Sequence, residues 1–130
     1  MSKRGKILIM DDEEIILDVS RKMLSHLEYD VTCTKDGASA VKQYEESMHA
    51  GHPFNLVIMD LTVPHGLGAR EAMQSLKAID PSIMAIVTSG KPNEDIMINY
   101  QKYGFIGAIA KPFSFEELNI MLEKILQNRQ

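Results

Sequence analysis

The sequence predicts one α/β domain built on a five-stranded parallel sheet. Three observations carry that reading. Short apolar runs begin near residues 7, 31, 56, 84 and 107. Between them apolar residues recur at three-to-four spacing, the period of a helix buried along one face. Most of the runs are closed by polar or turn residues. Unbroken apolar strands are expected where helices cover both faces of a parallel sheet, and right-handed crossovers place those helices.

The first run is Ile7, Leu8, Ile9 and Met10, closed by Asp11-Asp12. Ile16, Val19, Met23 and Leu27 form the first helical stripe. Val31 and Cys33, between Thr32 and Thr34, favour a short strand because β-branched residues suit a pleated surface. Asp36-Gly37 punctuates, and Val41, Tyr44 and Met48 give a second helix ended by Gly51 and Pro53. Leu56 to Met59 is a third strand that stops abruptly on Asp60, and Pro64, Gly66 and Gly68 mark a loop beyond it. Ala69, Ala72, Met73, Leu76 and Ile79 make a third helical face, stopped at Asp80-Pro81.

Met84 to Val87 is a fourth strand, closed by Thr88-Ser89-Gly90. A short helix capped by Asp95 and carrying Met97 and Tyr100 follows. Gly107 to Ala110 is a small-residue strand closed by Lys111-Pro112. Ser114 and Glu117 have the spacing of a reciprocal N-terminal cap, and Leu118, Met121, Leu122 and Ile125 continue as a helix.

Composition narrows the function. The chain has 130 residues, 45% of them hydrophobic and 25% charged, in the ordinary globular range. The whole of 1–130 reads as one domain. A net charge of −4 argues against direct nucleic-acid binding. No apolar run is long enough to span a membrane, so no membrane contact is expected. One cysteine, Cys33, fits a reducing cytoplasmic setting and reads as a small buried hydrophobe. The nine methionines read as core filler. His26, His49, His52 and His65 show no metal-binding spacing.

The chemistry lies at the strand ends. Asp11 and Asp12 close the first strand, Asp60 the third, Thr88 the fourth and Lys111 the fifth. In an open parallel sheet these carboxyl ends share one edge, where ligands bind. If the first and third strands are neighbours, three carboxylates converge. Two such charges about 4 Å apart repel by about 4 kcal/mol near a protein surface. A hard divalent cation such as Mg2+ answers that repulsion with oxygen ligands. Asp11 or Asp12 can also cap the first helix. The set suits phosphoryl transfer onto a carboxylate: Asp60 as nucleophile, Mg2+ and Lys111 neutralising the transferring oxygens, and Thr88 as a hydroxyl donor.

Four motifs in order and spacing make the chain resemble response-regulator receiver domains over essentially its full length. They are Ile-Met-Asp11-Asp12-Glu13, Met-Asp60-Leu-Thr-Val-Pro64 with Gly68 beyond, Thr88-Ser89, and Lys111-Pro112-Phe113. The resemblance implies a flavodoxin-like (βα)5 three-layer sandwich of strand order 2-1-3-4-5. It makes Asp60 the phosphoacceptor, with Asp12, Asp60 and the backbone carbonyl of Thr62 holding Mg2+ and Asp11 assisting through water. Lys111 would pair with the phosphoryl group, Thr88 would be the switch hydroxyl, and the Lys111-Pro112 bond would be cis.

The implied partner is a sensor histidine kinase or a histidine phosphotransfer protein of a bacterial two-component phosphorelay. A dimer formed on phosphorylation is left open. Asp60-Leu-Thr-Val-Pro-His-Gly-Leu-Gly and Tyr103-Gly104-Phe105 look most like receivers at the C-terminus of hybrid sensor histidine kinases, which would make the chain one domain of a longer protein. A stand-alone response regulator is the alternative. The domain alone would catalyse only its own phosphorylation and dephosphorylation.

One position departs from the family pattern. A bulky, commonly aromatic, residue is usual in the fifth strand where this chain has Ala108. The Ala108 methyl cannot swing inward as a bulky ring does, so a threonine–aromatic relay is not expected. An aspartyl-phosphate phosphatase of the haloacid-dehalogenase kind would place an acid two residues after the nucleophile, where Thr62 stands. A flavodoxin-like electron carrier would not tolerate Asp11-Asp12-Glu13-Glu14 against a flavin phosphate.

Overall fold

A computed structural model describes residues 4–61 and 68–127. The loop expected around Pro64 and Gly66, the Thr62 carbonyl and His65 lie outside the described residues. Five strands, β1 (Gly5–Met10), β2 (Tyr29–Thr34), β3 (Leu56–Asp60), β4 (Ala85–Ser89) and β5 (Gly107–Ala110), alternate with helices. The helices are α1 (Glu14–His26), α2 (Gly37–His49), α3 (Ala69–Ile79), α4 (Asp95–Ile98) and α5 (Phe115–Gln127). All strand pairs are parallel, in the order β2-β1-β3-β4-β5.

Strand alternation splits the apolar runs between two cores. Leu8, Met10, Val57, Met59, Ala85 and Val87 face α2, α3 and α4, where Tyr44, Met73 and Leu76 are buried against them. Ile7, Ile9, Leu56, Ile58, Ile86 and Ile109 face α1 and α5, against Leu24, Leu118 and Leu122. Eight of the nine methionines pack in or against these two clusters, as core filler should.

Helix ends follow local rules. Ser114 Oγ accepts from the Glu117 N–H at 3.1 Å while a Glu117 carboxylate oxygen accepts from the Ser114 N–H at 3.1 Å, so α5 begins with the expected reciprocal cap. Asp36 caps α2 by accepting from the Ser39 N–H at 2.8 Å. At the end of α2, Gly51 takes φ +81°, and the N–H groups of Gly51 and His52 reach back to the carbonyls of Met48 and Ser47. That pairing satisfies orphan carbonyls and needs a left-handed residue, which glycine supplies at no steric cost.

Three expectations are corrected. The helix capped by Asp95 is shorter than its stripe suggests. Asp95 is its first residue and α4 stops at Ile98, because Asn99 leaves the helical region at φ −111° and ψ 43°. Tyr100 instead opens a 3₁₀ turn, Tyr100–Tyr103, closed by Gly104 at φ +95°. Cys33 is half-buried rather than fully enclosed, since β2 is an edge strand. Strand β4 runs from Ala85 through Ser89, one residue later at its start than the apolar run. Ser89 is a completely buried polar residue, and its hydroxyl oxygen accepts from the Lys91 N–H at 3.0 Å.

Candidate functional site

The strand register brings the charged residues together. Met10 pairs with Met59, so Asp11 and Asp60 leave adjacent strands at the same height. Asp60 pairs directly with Thr88, and Ser89 with Ala110, which sets Lys111 just beyond. Backbone hydrogen bonds continue past the ladder: the Asp11 N–H donates to the Thr34 carbonyl at 3.0 Å, Leu61 to Thr88 at 2.8 Å, and Lys111 to Ser89 at 2.9 Å. These bonds fix the positions of side chains that would otherwise sit on free loops.

Asp11, Asp60 and Thr88 are buried to 2%, 3% and 3% exposure. Buried carboxylates require partners. Lys111 Nζ donates to Asp11 Oδ2 at 2.6 Å and lies 3.2 Å from Asp60 Oδ1. The other Asp11 oxygen accepts from the Glu13 N–H at 3.0 Å. Burial pulls the Lys111 ammonium down, but the hydrogen bond to Asp11 and the charges of Asp60 and Asp11 outweigh it, so its pKa stands above the usual lysine value. Lys111 is therefore a fixed cation. The Lys111–Pro112 bond is cis, as the resemblance implied.

Asp12 completes the cluster and is less buried than the other two. Each of Asp11, Asp12 and Asp60 offers one oxygen, and these atoms lie within 4.8 Å of one another. Three negative groups face one lysine. The donors are all oxygen, which matches a hard divalent cation such as Mg2+ and not a thiolate- or imidazole-seeking metal. Among the described residues no histidine joins a cluster of this kind. The expectation that Asp11 or Asp12 caps α1 is met only in part: Glu13 occupies the cap position without a side-chain bond, and Asp11 serves the Glu13 N–H just before it.

The surroundings differ on the two sides. On α1, Ile15 and Val19 are exposed at 76% and 45%. A crevice of 100 Å³ between α1 and the Lys111-Pro112-Phe113 turn is lined by Ile16, Val19, Ser20 and Met23. On the far side, Ala108 and Tyr100 line a groove of 390 Å³ with Met84, Met121 and Ile125. A second cluster escaped sequence reading: Arg70, Asp95 and Tyr103 meet beside Leu61. Their separation along the chain left no spacing signal, although Tyr103 stands in a segment already noted.

The chain belongs to the response regulator receiver domain family, which is matched over residues 7–123. It is similar to the chemotaxis protein CheY of Listeria monocytogenes, 28% identical over 92% of this chain and 96% of that protein. It is also similar to the transcription factor SKN7 of Candida albicans, 27% identical over 92% of this chain. The chain spans about a fifth of the SKN7 proteins it matches. Among solved structures, the receiver domain of the sensor histidine kinase PA1611 from Pseudomonas aeruginosa, with magnesium coordinated in its active-site cleft, superposes with a TM-score of 0.83. That likeness has 25% identity and covers 95% of this chain and 98% of that one. The fold and two-component signalling class expected from the four motifs are thereby established. Among the described residues no helix is long and apolar enough to cross a membrane.

Proposed function

We propose that residues 1–130 form one phosphoacceptor receiver domain in which Asp60 takes a phosphoryl group from phosphohistidine on a sensor histidine kinase or phosphotransfer protein. The observation that carries this is the convergence of Asp11, Asp12 and Asp60 oxygens within 4.8 Å beside the Lys111 ammonium. An Asp60 carboxylate oxygen attacks phosphorus as the N–P bond of phosphohistidine breaks, and the bonding pair leaves on the imidazole nitrogen, which takes up a proton. Lys111 is placed to leave its contact with Asp60 and neutralise an incoming phosphoryl oxygen. Thr88, opposite Asp60 in the ladder, can donate its hydroxyl to another.

Asp12 and Asp60, with Asp11 through water and the Thr62 carbonyl, would hold Mg2+. When bound it supplies charge neutralisation for the transferring group. Water then attacks the acyl phosphate, the P–O bond to Asp60 breaks, and the carboxylate is restored. Ile15 and Val19 give the donor protein an exposed apolar footing next to the site.

The likeness to the PA1611 receiver domain and the quoted segments support an origin in a hybrid kinase of a bacterial phosphorelay. The match to nearly the full length of a Listeria CheY supports a stand-alone regulator instead. In either arrangement a cytoplasmic setting suits the chemistry.

The test is intact-mass measurement after incubation with acetyl phosphate and Mg2+. Wild type gains one phosphoryl group and loses it on standing, EDTA prevents the gain, and Asp60→Asn gains none. An identical gain in Asp60→Asn would overturn the assignment.

A further inference from the structure

The crevice beside Leu61 joins three elements. It has a volume of 280 Å³ and is lined by Leu61, Arg70, Glu94, Asp95, Ile96 and Tyr103. The Arg70 guanidinium, in the first turn of α3, lies 5.2 Å from the centre of the Tyr103 ring. The Tyr103 hydroxyl donates to Asp95 Oδ2, and Asn99 Nδ2 donates to Asp95 Oδ1 at 2.7 Å. The hydrogen bonds from Tyr103 and then Asn99 hold the Asp95 carboxyl below its ordinary range, so it stays an anion.

These contacts hold an element that cannot hold itself. One helical turn costs more to nucleate than its hydrogen bonds return, and α4 has four residues. Its inner side is anchored by buried Ile96 and Met97. Its outer side is tied through Asp95 to the 3₁₀ turn and through Tyr103 to α3. The floor of the same crevice is Leu61, the residue after Asp60, whose N–H donates to the Thr88 carbonyl at 2.8 Å. The arrangement thus links the Asp60–Thr88 pair directly to the underside of the α4 segment.

We propose that Arg70, Tyr103 and Asp95 form a clip that holds the α4 segment in the arrangement in which Lys111 is paired with Asp60, and so opposes occupancy of the Asp60 site by a phosphoryl-like anion. The inference rests on the phosphoacceptor reading above. A tetrahedral anion at Asp60 draws on the Thr88 hydroxyl and displaces the Leu61 backbone bonded to Thr88, which shifts the floor under the clip. A group that favours one of two arrangements lowers affinity for a ligand of the other. With Ala108 in β5, this clip adds to the buried anchors Ile96 and Met97 in restraining that segment.

The experiment uses the full chain, with beryllofluoride and Mg2+ as the phosphoryl-like probe. Binding is read by fluorine NMR, and segment opening by amide hydrogen exchange. Tyr103→Phe keeps the ring and removes the donor; Arg70→Met keeps the stem and removes the cation. Each is expected to speed exchange across 95–104 without changing β1 or β3, and to tighten beryllofluoride binding by about threefold, the scale of one net hydrogen bond for Tyr103→Phe and of one exposed cation–π contact for Arg70→Met. The double variant should tighten binding by less than the product of the two. Affinity for Mg2+ alone should not move.

Unchanged or weaker beryllofluoride binding in both variants, with wild type binding normally, overturns the clip and leaves the phosphoacceptor reading standing. Faster exchange spread over the whole sheet also overturns it, because the contacts would then serve only global stability. Failure of wild type to bind beryllofluoride overturns the phosphoacceptor reading and the coupling with it.

Discussion

The two edges of the sheet treat carboxylates in opposite ways. At the amino edge Asp80, which ends α3, is satisfied: it accepts from the buried Tyr44 hydroxyl at 2.6 Å and from the Ser82 N–H and hydroxyl at 3.1 and 2.9 Å. The amide oxygen of Asn55, just before β3, accepts from the Lys6 N–H at 2.8 Å. At the carboxyl edge Asp11, Asp12 and Asp60 crowd together, and Lys111 bridges two of them. The same fold pairs acids fully where it needs only stability. At the carboxyl edge three acids share one lysine, and on the proposed reading that crowding is a stability cost carried for binding a cation and a phosphoryl group.

The largest effect should come from removing charge at the crowded edge. Asp12→Asn takes away one of three repelling carboxylates, so the metal-free protein should gain about 1 kcal/mol. The same change should weaken Mg2+ binding by about tenfold or more, because a hard cation loses a charged ligand. Thermal unfolding with and without Mg2+ reads both. Wild type should show a rise in Tm on adding Mg2+, and Asp12→Asn should show a higher starting Tm with little further rise. A variant that is less stable than wild type without Mg2+ would mean that the cluster is not under electrostatic stress.

The satisfied edge should respond in the reverse sense. Tyr44→Phe removes the donor while the ring stays stacked 6.2 Å from Phe54. The hydrogen bond from Tyr44 is the main reason that the Asp80 carboxyl sits below its ordinary value. A carboxyl depressed on folding adds stability above its unfolded pKa of about 3.9, and that stability is lost as pH falls through the folded value. Tyr44→Phe should therefore cost about 1 kcal/mol at pH 7, a figure at the low end because Asp80 is partly solvated. The gap from wild type should close on acidification below pH about 4. Urea unfolding at pH 7 and pH 3 measures it, and a gap that widened in acid would refute the assignment.

The sequence made the two edges unequally legible. Strand β5 and the reciprocal cap of Ser114 and Glu117 were readable because each depends on neighbours a few residues away. The carboxylate cluster was readable for a different reason: parallel topology carries every strand's carboxyl end to one edge, so residues 11, 60, 88 and 111 need no pairwise signal. Nothing comparable announces Tyr44 and Asp80, which stand 36 positions apart on different elements. The same holds for Arg70 and Tyr103. The break in α4 at Asn99 was hidden because a ragged apolar stripe does not report backbone angles.

Gly90 refines the contrast within the carboxyl edge. A Cβ there would meet nothing within 4 Å, and its backbone is not left-handed. A side chain at this position should therefore fold without strain and stand over the approach to Asp60, two residues beyond Thr88. Gly90→Arg is expected to change the lifetime of the phosphorylated state severalfold while changing Mg2+ affinity much less. Dephosphorylation followed by intact mass, beside a Mg2+ titration, decides it; equal changes in both would refute the idea.

The smallest effect tests whether stability can be raised at the amino edge without touching the chemistry. Glu28, between α1 and β2, has φ 72°, a left-handed conformation that an L side chain adopts at a cost of about 1 kcal/mol. Its backbone is committed: the Glu28 N–H donates to the Ser25 carbonyl at 3.0 Å, and its carbonyl accepts from the Arg4 N–H at 2.8 Å. The side chain is exposed, so little packing is lost on removing it. Glu28→Gly relieves the strain but enlarges the freedom of the unfolded chain. The two terms nearly cancel, and a net gain of about 0.5 kcal/mol in urea unfolding is expected. Phosphorylation rate and Mg2+ affinity should match wild type, because this turn joins the strand starts and the carboxylates proposed to react sit at the strand ends. A loss of phosphorylation with the gain in stability would show that the two edges are coupled through β1.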